Sequence, residues 1–431
     1  MKRSMRRWLF AILTLAVIIG AGVALVVALN LRDEAPLDGS ASGSELAARF
    51  TNPALIERGR YLAQAGNCMT CHTVRGGAPY AGGRPIDTPF GVVHSSNLTS
   101  DADTGLGRWS AGQFWRALHN GRSRDGRLLY PAFPYPNYTQ VTREDSDAIY
   151  AYLRSLPPVA QPNRPHALRF PYDTQAALAV WRALFFRPGV FQPQAGQSEQ
   201  WNRGAYLVGG LGHCNACHAG RNLLGATGAA LELGGGMIAA QSWYAPSLAS
   251  PAEAGVGDWP ADEIVQLLKT GQSPRGIVVG PMAEVVVRST QHLSDADLQA
   301  MAAFLKSLPP SEPRRRPAAP PASGELMKRG AVLYERHCAD CHGADGQGQP
   351  HAYPPLAGNR AVTLEPPANA LRIVLHGGYA PATAANPRPF GMPPFAAQLA
   401  DDEIAAVVSY IRAAWGNRGS EVRSVEVVRY R

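Results

Sequence analysis

The strongest apolar segment of this chain lies at its N-terminus. Residues 8–31 carry no charged side chain, and Lys2, Arg3, Arg6 and Arg7 precede them. As a helix, these 24 residues are long enough to cross a bilayer core of roughly 30 Å. The cationic cluster orients the N-terminus to the cytoplasm, so the rest of the chain is expected on the far side of the membrane.

Two explanations of this segment stay open from the sequence. The apolar region of a signal peptide is usually about 7–15 residues long, and this one is longer. We therefore favour a retained anchor over residues 1–31, with a cleaved signal peptide as the alternative. In both cases the domains that follow a polar, flexible stalk at residues 32–50 are expected outside the cytoplasm.

Beyond the stalk, apolar positions recur every three or four residues in three similar sets of helices. Each set contains a helix with an Arg-Gly pair, a helix that ends in glycine and a last helix that begins with acidic residues. Repetition at domain length predicts an all-α protein of three tandem copies of one small fold behind the anchor. The helices with the Arg-Gly pair cover residues 57–62, 202–207 and 328–333. The helices that end in glycine cover 114–121, 265–271 and 372–378. The last helices cover 145–156, 295–308 and 401–415.

The repeats set the predicted domain boundaries. Residues 161–198 form a connector after the first domain, and a proline-rich, semi-rigid linker covers residues 311–323. The three domains themselves are predicted at residues 51–160, 199–310 and 324–431.

Within the connector, residues 176–186 are expected to be helical, with Val180, Trp181, Leu184 and Phe185 available for one face. This face either packs between two domains or docks on a partner or the membrane surface. The sequence leaves both open.

Composition narrows the functional classes. The chain has 44 Gly and 36 Pro among 431 residues, so much of it is loop, and its net charge is +8. Half of that charge belongs to the four residues before the apolar segment. No basic helix with interleaved aromatic residues is present, so a nucleic acid is not an expected partner.

All six cysteines belong to three copies of the pattern C-x-x-C-H, the attachment signature of c-type haem. Two thiols three residues apart can form thioethers with the haem vinyl groups, and the following imidazole can become the proximal iron ligand. One copy alone could be a redox dithiol, half a zinc site or a disulfide, but three copies, each opening a similar domain, favour three covalently bound haem c groups. The residues are Cys68, Cys71 and His72; Cys214, Cys217 and His218; and Cys338, Cys341 and His342.

Methionine is the usual sixth ligand in small c domains, and it raises the reduction potential. Met392 lies between prolines and aromatic residues in a loop of the third domain, which is hard to explain by helix packing. In the second domain Met282 follows Gly-Pro in the equivalent loop. Met237 and Met301 compete there, but Met301 lies on the last helix, where core packing explains it.

The first domain departs from this pattern. Phe133 stands where methionine is expected, and Met69 lies inside the attachment motif on the proximal side. His94 and His119 are local candidates for the sixth ligand, although an ordinary hydrogen-bonded role is the simpler explanation of each. We therefore expect the first haem to have a different sixth ligand or none, and a different potential.

Longer motifs carry a family resemblance. The segments TPFGVVHSSNLTSDADTGLGRWS, LYPAFPYPNYT and WNRGAYLVGGLGHCNACHAGRNLLG resemble the triple-haem cytochrome c subunit of bacterial membrane-bound dehydrogenases. That family serves quinoprotein alcohol dehydrogenases, flavin gluconate, sorbitol and fructose dehydrogenases, and molybdenum aldehyde dehydrogenases. The resemblance implies that electrons pass from a separate catalytic subunit to ubiquinone. It also implies the iron ligands His72, His218, His342, Met282 and Met392.

With Phe133 at this position, the segment YPAFPYPN resembles the sequences of cytochromes that accompany molybdenum hydroxylases of the aldehyde or isoquinoline oxidoreductase kind. This implies a catalytic partner with a small iron–sulfur subunit. The protein is then expected in the inner membrane, with its haem domains facing the periplasm.

No nucleophile–base pair, phosphate-binding loop or dinucleotide motif appears, so no catalytic residue is predicted. Two other functions stay open. An open first haem could bind peroxide as an enzyme, or the chain could be a membrane-tethered shuttle to a terminal oxidase.

Overall fold

The computed structural model describes residues 2–32, 34, 49–228, 233–311 and 323–431. The predicted stalk and the proline-rich linker lie almost entirely outside these residues. The chain forms two compact units: Met1–Gly59 with Ala81–Phe191, and Arg60–Tyr80 with Gln192–Arg431. The first attachment motif thus belongs to the second unit.

The first part of the chain is mostly helical. Its strands β1–β3 form one antiparallel sheet in that order. The elements are α1 Lys2–Asn30, α2 Pro53–Ala65, α3 Cys68–Cys71, β1 Pro85–Thr88, β2 Gly91–His94, α4 Ala111–Asn120, α5 Tyr135–Tyr138, α6 Arg143–Ser155, β3 Ala167–Leu168 and α7 Gln175–Phe185.

The second part repeats the helical pattern twice, with strands of only two or three residues, so the all-α prediction is confirmed. A π-helix over Leu207–Leu211 and short 3₁₀ turns over Ala239–Gln241 and Thr290–His292 complete it. The other elements are α8 Glu199–Tyr206, α9 Asn215–His218, β4 Gly236–Ile238, β5 Trp243–Ala245, α10 Ala261–Thr270, β6 Gln272–Ser273, β7 Gly276–Ile277, α11 Pro281–Arg288, α12 Asp295–Lys306, α13 Gly324–His337, α14 Ala339–His342, α15 Arg360–Thr363, α16 Ala368–His376, β8 Gly378–Tyr379, β9 Gly391–Met392, α17 Asp401–Ala413 and α18 Ser424–Val428.

The glycine of each Arg-Gly pair marks a close crossing of the first and last helices of a domain. A Cβ atom on Gly59 would lie 1.8 Å from the carbonyl oxygen of Ala148, and one on Gly204 would lie 2.0 Å from that of Ala300. At Gly330 the nearest atom would be the carbonyl oxygen of Ala406 at 2.4 Å. Any larger residue would push the two helices apart.

The arginine of each pair binds an acidic residue in the first turn of the same last helix. Arg203 donates to both carboxylate oxygens of Asp297, at 2.8 and 2.7 Å. Two nitrogens of Arg58 donate to one carboxylate oxygen, Oδ1, of Asp145, and Arg329 donates to Asp402 at 2.7 Å. The sequence repeat therefore has a packing reason: the glycine allows the crossing and the arginine fixes it.

The connector contains the predicted helix, α7, and its buried side is formed by residues other than Val180 and Leu184. Val180 and Leu184 are 48% and 58% exposed, whereas Leu178, Arg182 and Ala183 are buried. The helix packs against α1 within the first unit. Of the two roles that the sequence left open for this face, packing inward therefore does not apply to Val180 and Leu184.

Candidate haem sites

Each attachment motif folds into a single helical turn. The backbone N–H of His72 donates to the carbonyl oxygen of Cys68 at 3.0 Å, and the same bond joins His218 to Cys214 and His342 to Cys338, each at 2.9 Å. The turn places cysteines three residues apart on one side, as thioether attachment to one porphyrin requires.

The thiols do not suit the rival chemistries. All six cysteines are free of disulfides. Burial raises the pKa of Cys68 and of Cys214 to about 12 and that of Cys338 to about 11. A redox dithiol needs the opposite, a thiolate favoured near neutral pH. Among the described residues no cluster of three or more His, Cys, Asp or Glu side chains could hold a metal ion by itself.

Two motif histidines are held in the orientation that an iron ligand needs. Nδ1 of His218 lies 2.7 Å from the carbonyl oxygen of Pro246, and Nδ1 of His342 lies 3.0 Å from that of Pro354. Donation of Nδ1–H to a carbonyl fixes the ring and its tautomer, which leaves Nε2 to bind a metal. Burial lowers the pKa of both histidines, which keeps the imidazoles neutral.

Met282 lies in the first turn of α11, behind Gly280 and Pro281, and not in a loop as the sequence suggested. Gly280 has φ +58°, and a Cβ atom there would lie 2.6 Å from the indole of Trp243. Only glycine suits this position on both counts. The backbone conformation directly before Met282 is thereby fixed.

The competing methionines of the second domain have other places. Met301 is 4% exposed on α12, as core packing predicts. Met237 lies on β4, the strand directly beside the attachment motif: Gly235 N–H donates to the carbonyl oxygen of His218 at 2.7 Å. A residue next to the proximal helix is poorly placed for the distal side, so Met282 stays the predicted sixth ligand.

Met392 of the third domain lies on β9, which pairs with β8, and its side chain packs against the core of that domain. A Cβ atom on Gly377 would lie 2.3 Å from the carbonyl oxygen of Met392, so the backbone here is held closely. Met392 stays the predicted sixth ligand of the third haem.

In the first domain the candidate residues have local partners. Nδ1 of the buried His119 lies 2.8 Å from the carbonyl oxygen of Thr139, and its ring stacks on Trp115. Nδ1 of His94 lies 2.9 Å from the carbonyl oxygen of Pro165. Phe133 packs with Tyr135 and Tyr138. The bonded rings fit the simpler, hydrogen-bonded role of both histidines.

Met69 contacts Arg288, whose Nη1 atom lies 4.0 Å from the methionine sulfur. This contact belongs to a wider one within the second unit. Tyr61 donates to Asp297 at 2.6 Å, and Ser289 donates to the carbonyl oxygen of Ala65 at 3.3 Å. The first attachment motif is thereby held against the segment that carries Met282.

The second and third domains also touch directly. The backbone N–H of Tyr244 donates to Asn369 at 2.9 Å, and the Asn369 amide donates back to the Tyr244 carbonyl at 2.8 Å. Arg360 binds Asp258 at 2.6 Å. The guanidinium of Arg372 lies 5.1 Å from the ring centre of Trp243, the residue that contacts Gly280.

Two buried donors of the second and third domains have the chemistry that a haem propionate would need. Nε1 of Trp259 and Nε of Arg372 are buried and have no hydrogen-bond partner among the described residues. A propionate carboxylate is the kind of group that buried N–H donors need. The sequence did not single out Pro246 and Pro354, because only the folded chain brings their carbonyl oxygens to the motif histidines. When bound, haem supplies a one-electron iron couple.

Comparison with known proteins places the chain. The family model for cytochrome c matches residues 56–157 and 327–415. The cytochrome c subunit of the quinone-type alcohol dehydrogenase of Gluconacetobacter polyoxogenes is 38% identical over 88% of this chain and 84% of that protein. The gluconate 2-dehydrogenase cytochrome c subunit of Pantoea cypripedii is 39% identical, over 88% and 90%.

A longer relative is a nicotinate dehydrogenase chain of Pseudomonas putida, which is 42% identical over 95% of this chain but only 34% of its own length. For the alcohol and gluconate dehydrogenase relatives, identity at this level covers most of both chains. Together with the C-x-x-C-H turns, it confirms the predicted resemblance. The chain belongs to the family of electron-transfer cytochrome c subunits of bacterial dehydrogenases.

Proposed function

We propose that this chain carries electrons from a catalytic dehydrogenase subunit through three c-type haems to ubiquinone in the membrane. The observation that carries the proposal is the threefold attachment turn, with His218 and His342 held by proline carbonyls.

The number of haems is open to direct measurement. The intact mass of the exported protein, with a pyridine haemochrome assay, is expected to give three covalent haems per chain. Replacing Cys214 and Cys217 by alanine is expected to remove one. A count of two in the wild type would overturn the proposal for one motif. Peptide mapping would then identify the motif that carries no haem.

The anchor is proposed to be retained, because its end is bonded to the first unit. The Asn30 amide donates to the carbonyl oxygen of Ala179 at 2.9 Å and accepts from Arg182, 3% exposed, at 2.9 Å. Arg122 donates to the Asn30 carbonyl at 3.2 Å and lies 3.2 Å from Glu34. Arg182 is buried and Arg122 is half-buried, and a cleavage that removed Asn30 would take these hydrogen bonds from both arginines, which is costly.

This placement has a simple test. The mature protein is expected to begin near Met1, to resist extraction by high salt and carbonate, and to expose its haem domains to protease only from the periplasmic side. An N-terminus at residue 29 or later would refute the anchor, and protection in spheroplasts would refute the periplasmic orientation.

For the catalytic partner we propose a molybdenum hydroxylase with a small iron–sulfur subunit. Support comes from Phe133, which replaces the methionine expected in alcohol and gluconate types and lies in the segment that resembles the cytochromes of such hydroxylases. Affinity purification of the tagged chain from its native membrane is expected to bring down molybdenum and iron–sulfur clusters. Recovery of a pyrroloquinoline quinone or flavin protein would contradict this partner.

Reduction of ubiquinone distinguishes the proposal from the tethered shuttle. The purified complex in lipid vesicles is expected to reduce a ubiquinone analogue when its substrate is added, with reduced haem as the intermediate seen by absorbance. Haem reduction without quinone reduction, and oxidation only by an added terminal oxidase, would favour the shuttle.

A further inference from the structure

The residue directly before the second attachment motif, His213, has a backbone conformation that histidine rarely adopts. Its φ is +39°, in the left-handed region. Strain of this kind persists only where the surrounding structure holds the residue, and it often marks a functional position. Asn67 stands at the same place before Cys68 with φ +51°, whereas His337, before Cys338, ends a regular helix.

The side chain of His213 reaches the first attachment motif. Its ring hydrogen-bonds to the backbone of Gly66, two residues before Cys68. Leu211 lies against the same glycine, since a Cβ atom on Gly66 would be 3.6 Å from Cδ2 of Leu211 and 3.4 Å from the sulfur of Cys68. The segment in front of Cys214 is therefore packed against the segment in front of Cys68.

A π-helix over Leu207–Leu211 directly precedes this contact. A π-helix accommodates an extra residue within a helix and is frequent at functional sites. The sequence shows the extra residue: Cys214 lies ten positions after the glycine of its Arg-Gly pair, against nine for Cys68 and eight for Cys338. The second domain therefore has a local insertion at the point where it meets the first motif.

Other contacts hold the same two segments together. Ser289 donates to the carbonyl oxygen of Ala65 at 3.3 Å, and Tyr61 donates to Asp297 at 2.6 Å. His213 differs from these residues because it is covalently bonded to Cys214. Its hydrogen bond therefore joins the two cysteine-bearing turns themselves.

We infer that His213 is a positioning residue that fixes the first haem relative to the second. It ties the turn that begins at Cys214 to the turn that begins at Cys68 through its bond to Gly66. Electron exchange between two centres falls steeply with their distance, so a rigid tie between the attachment turns keeps that exchange constant. The inference rests on the proposed attachment of haem at both motifs.

The test is circular dichroism of the full-length haem-loaded protein in the Soret band, where two haems at short range give a bisignate signal that depends on their mutual orientation. Cys68→Ala with Cys71→Ala removes the first haem, and the difference from the wild type defines the contribution of that haem. His213→Gly removes the ring but suits the positive φ, and it is expected to reduce this contribution about twofold or more at unchanged haem content.

Amide side chains separate the hydrogen bond from the other effects of losing the ring. His213→Asn places an N–H donor near the position of Nδ1, and His213→Gln places one near that of Nε2. One of the two is expected to restore the signal. His337→Ala is the matched control, because it changes the equivalent residue before Cys338, and it is expected to leave the first-haem contribution unchanged.

A full first-haem contribution in His213→Gly would overturn the inference, as would failure of both amide variants to restore it. A wild-type signal equal to that of the variant without the first haem would also overturn it. Melting temperatures show whether the variants fold, and His213→Ala replaces His213→Gly if the latter does not. The haem count from intact mass tests the proposed function separately, because a bare first motif in the wild type is seen there and not in the dichroism.

Discussion

At the scale of single residues, the ring nitrogens of the proximal histidines and the nature of the distal side chain control what each site can do. Carbonyl oxygens of Pro246 and Pro354 hold Nδ1 of His218 and His342. The chemistry that differs between sites then comes from the opposite side of the haem. A thioether there raises the potential, and a phenylalanine such as Phe133 cannot bind iron.

Replacing Met282 by alanine is expected to lower the potential of one haem and to remove one methionine–iron charge-transfer signal, because the soft sulfur ligand is lost. Redox titration followed by absorbance in the near infrared measures both. Met237→Ala is the control and is expected to change neither; the reverse result would transfer the assignment to Met237.

The number of methionine–iron bonds in the wild-type protein is a related prediction. If Phe133 leaves the first haem without a methionine ligand, the oxidised protein shows two methionine–iron equivalents and not three. Phe133→Met is expected to add the third and to raise the potential of one haem. Three equivalents in the wild type would contradict this.

The carboxylate of Asp297 is expected to make the stability of the protein depend on pH. Burial raises its pKa, but hydrogen bonds from Arg203 and Tyr61 outweigh burial and lower the pKa below its usual value. A depressed folded-state pKa contributes stability that is present above the unfolded pKa, about 3.9, and is lost as pH falls through the folded value. Chemical denaturation from pH 7 to 2 is expected to show this loss, and Asp297→Asn is expected to be less stable at pH 7 by about 1–2 kcal/mol with a flatter acid limb. An equally steep acid limb in the variant would contradict it.

At the scale of elements, the domains are held by one repeated crossing of the first and last helices. The glycine permits the approach, and the Arg–Asp pair fixes it at the N-terminal end of the last helix, where a carboxylate is favoured. This explains why the sequence repeats Arg-Gly before each haem motif.

Gly204→Val is expected to destabilise the second unit by about 2–3 kcal/mol, because even a Cβ atom would lie 2.0 Å from the Ala300 carbonyl. Denaturant unfolding of the haem-loaded protein measures the loss. Gly324→Ala, where a Cβ atom meets nothing within 4 Å, serves as control and is expected to be nearly neutral or slightly stabilising.

At the scale of the whole molecule, the covalent linker between the second and third domains is not the only connection between them. Tyr244 with Asn369, Asp258 with Arg360, and Trp243 with Arg372 join the two domains. Direct contact keeps neighbouring redox centres in a constant relation, as an electron-transfer chain needs.

A protease site inserted within residues 312–322 is therefore expected to give, after cleavage, two fragments that co-elute in gel filtration. The same insertion combined with Arg360→Ala and Asn369→Ala is expected to release the third domain. These substitutions remove the ion pair with Asp258 and both hydrogen bonds between the Asn369 amide and Tyr244. Separation of the fragments without those substitutions would show that the linker alone holds the domains.

The sequence by itself determined the haem-attachment motifs, the helical repeats and an apolar segment long enough to cross a membrane, because cysteine spacing, helix periodicity and apolar length are local properties of the chain. Tertiary structure decided what depends on long-range packing. It placed proline carbonyls on the histidines, put Met237 beside the proximal helix, and joined the repeated arginines to acidic residues 73 to 94 positions away. It also turned Val180 and Leu184 outward, since the buried Arg182 bonds to the end of the anchor on the opposite side of the helix.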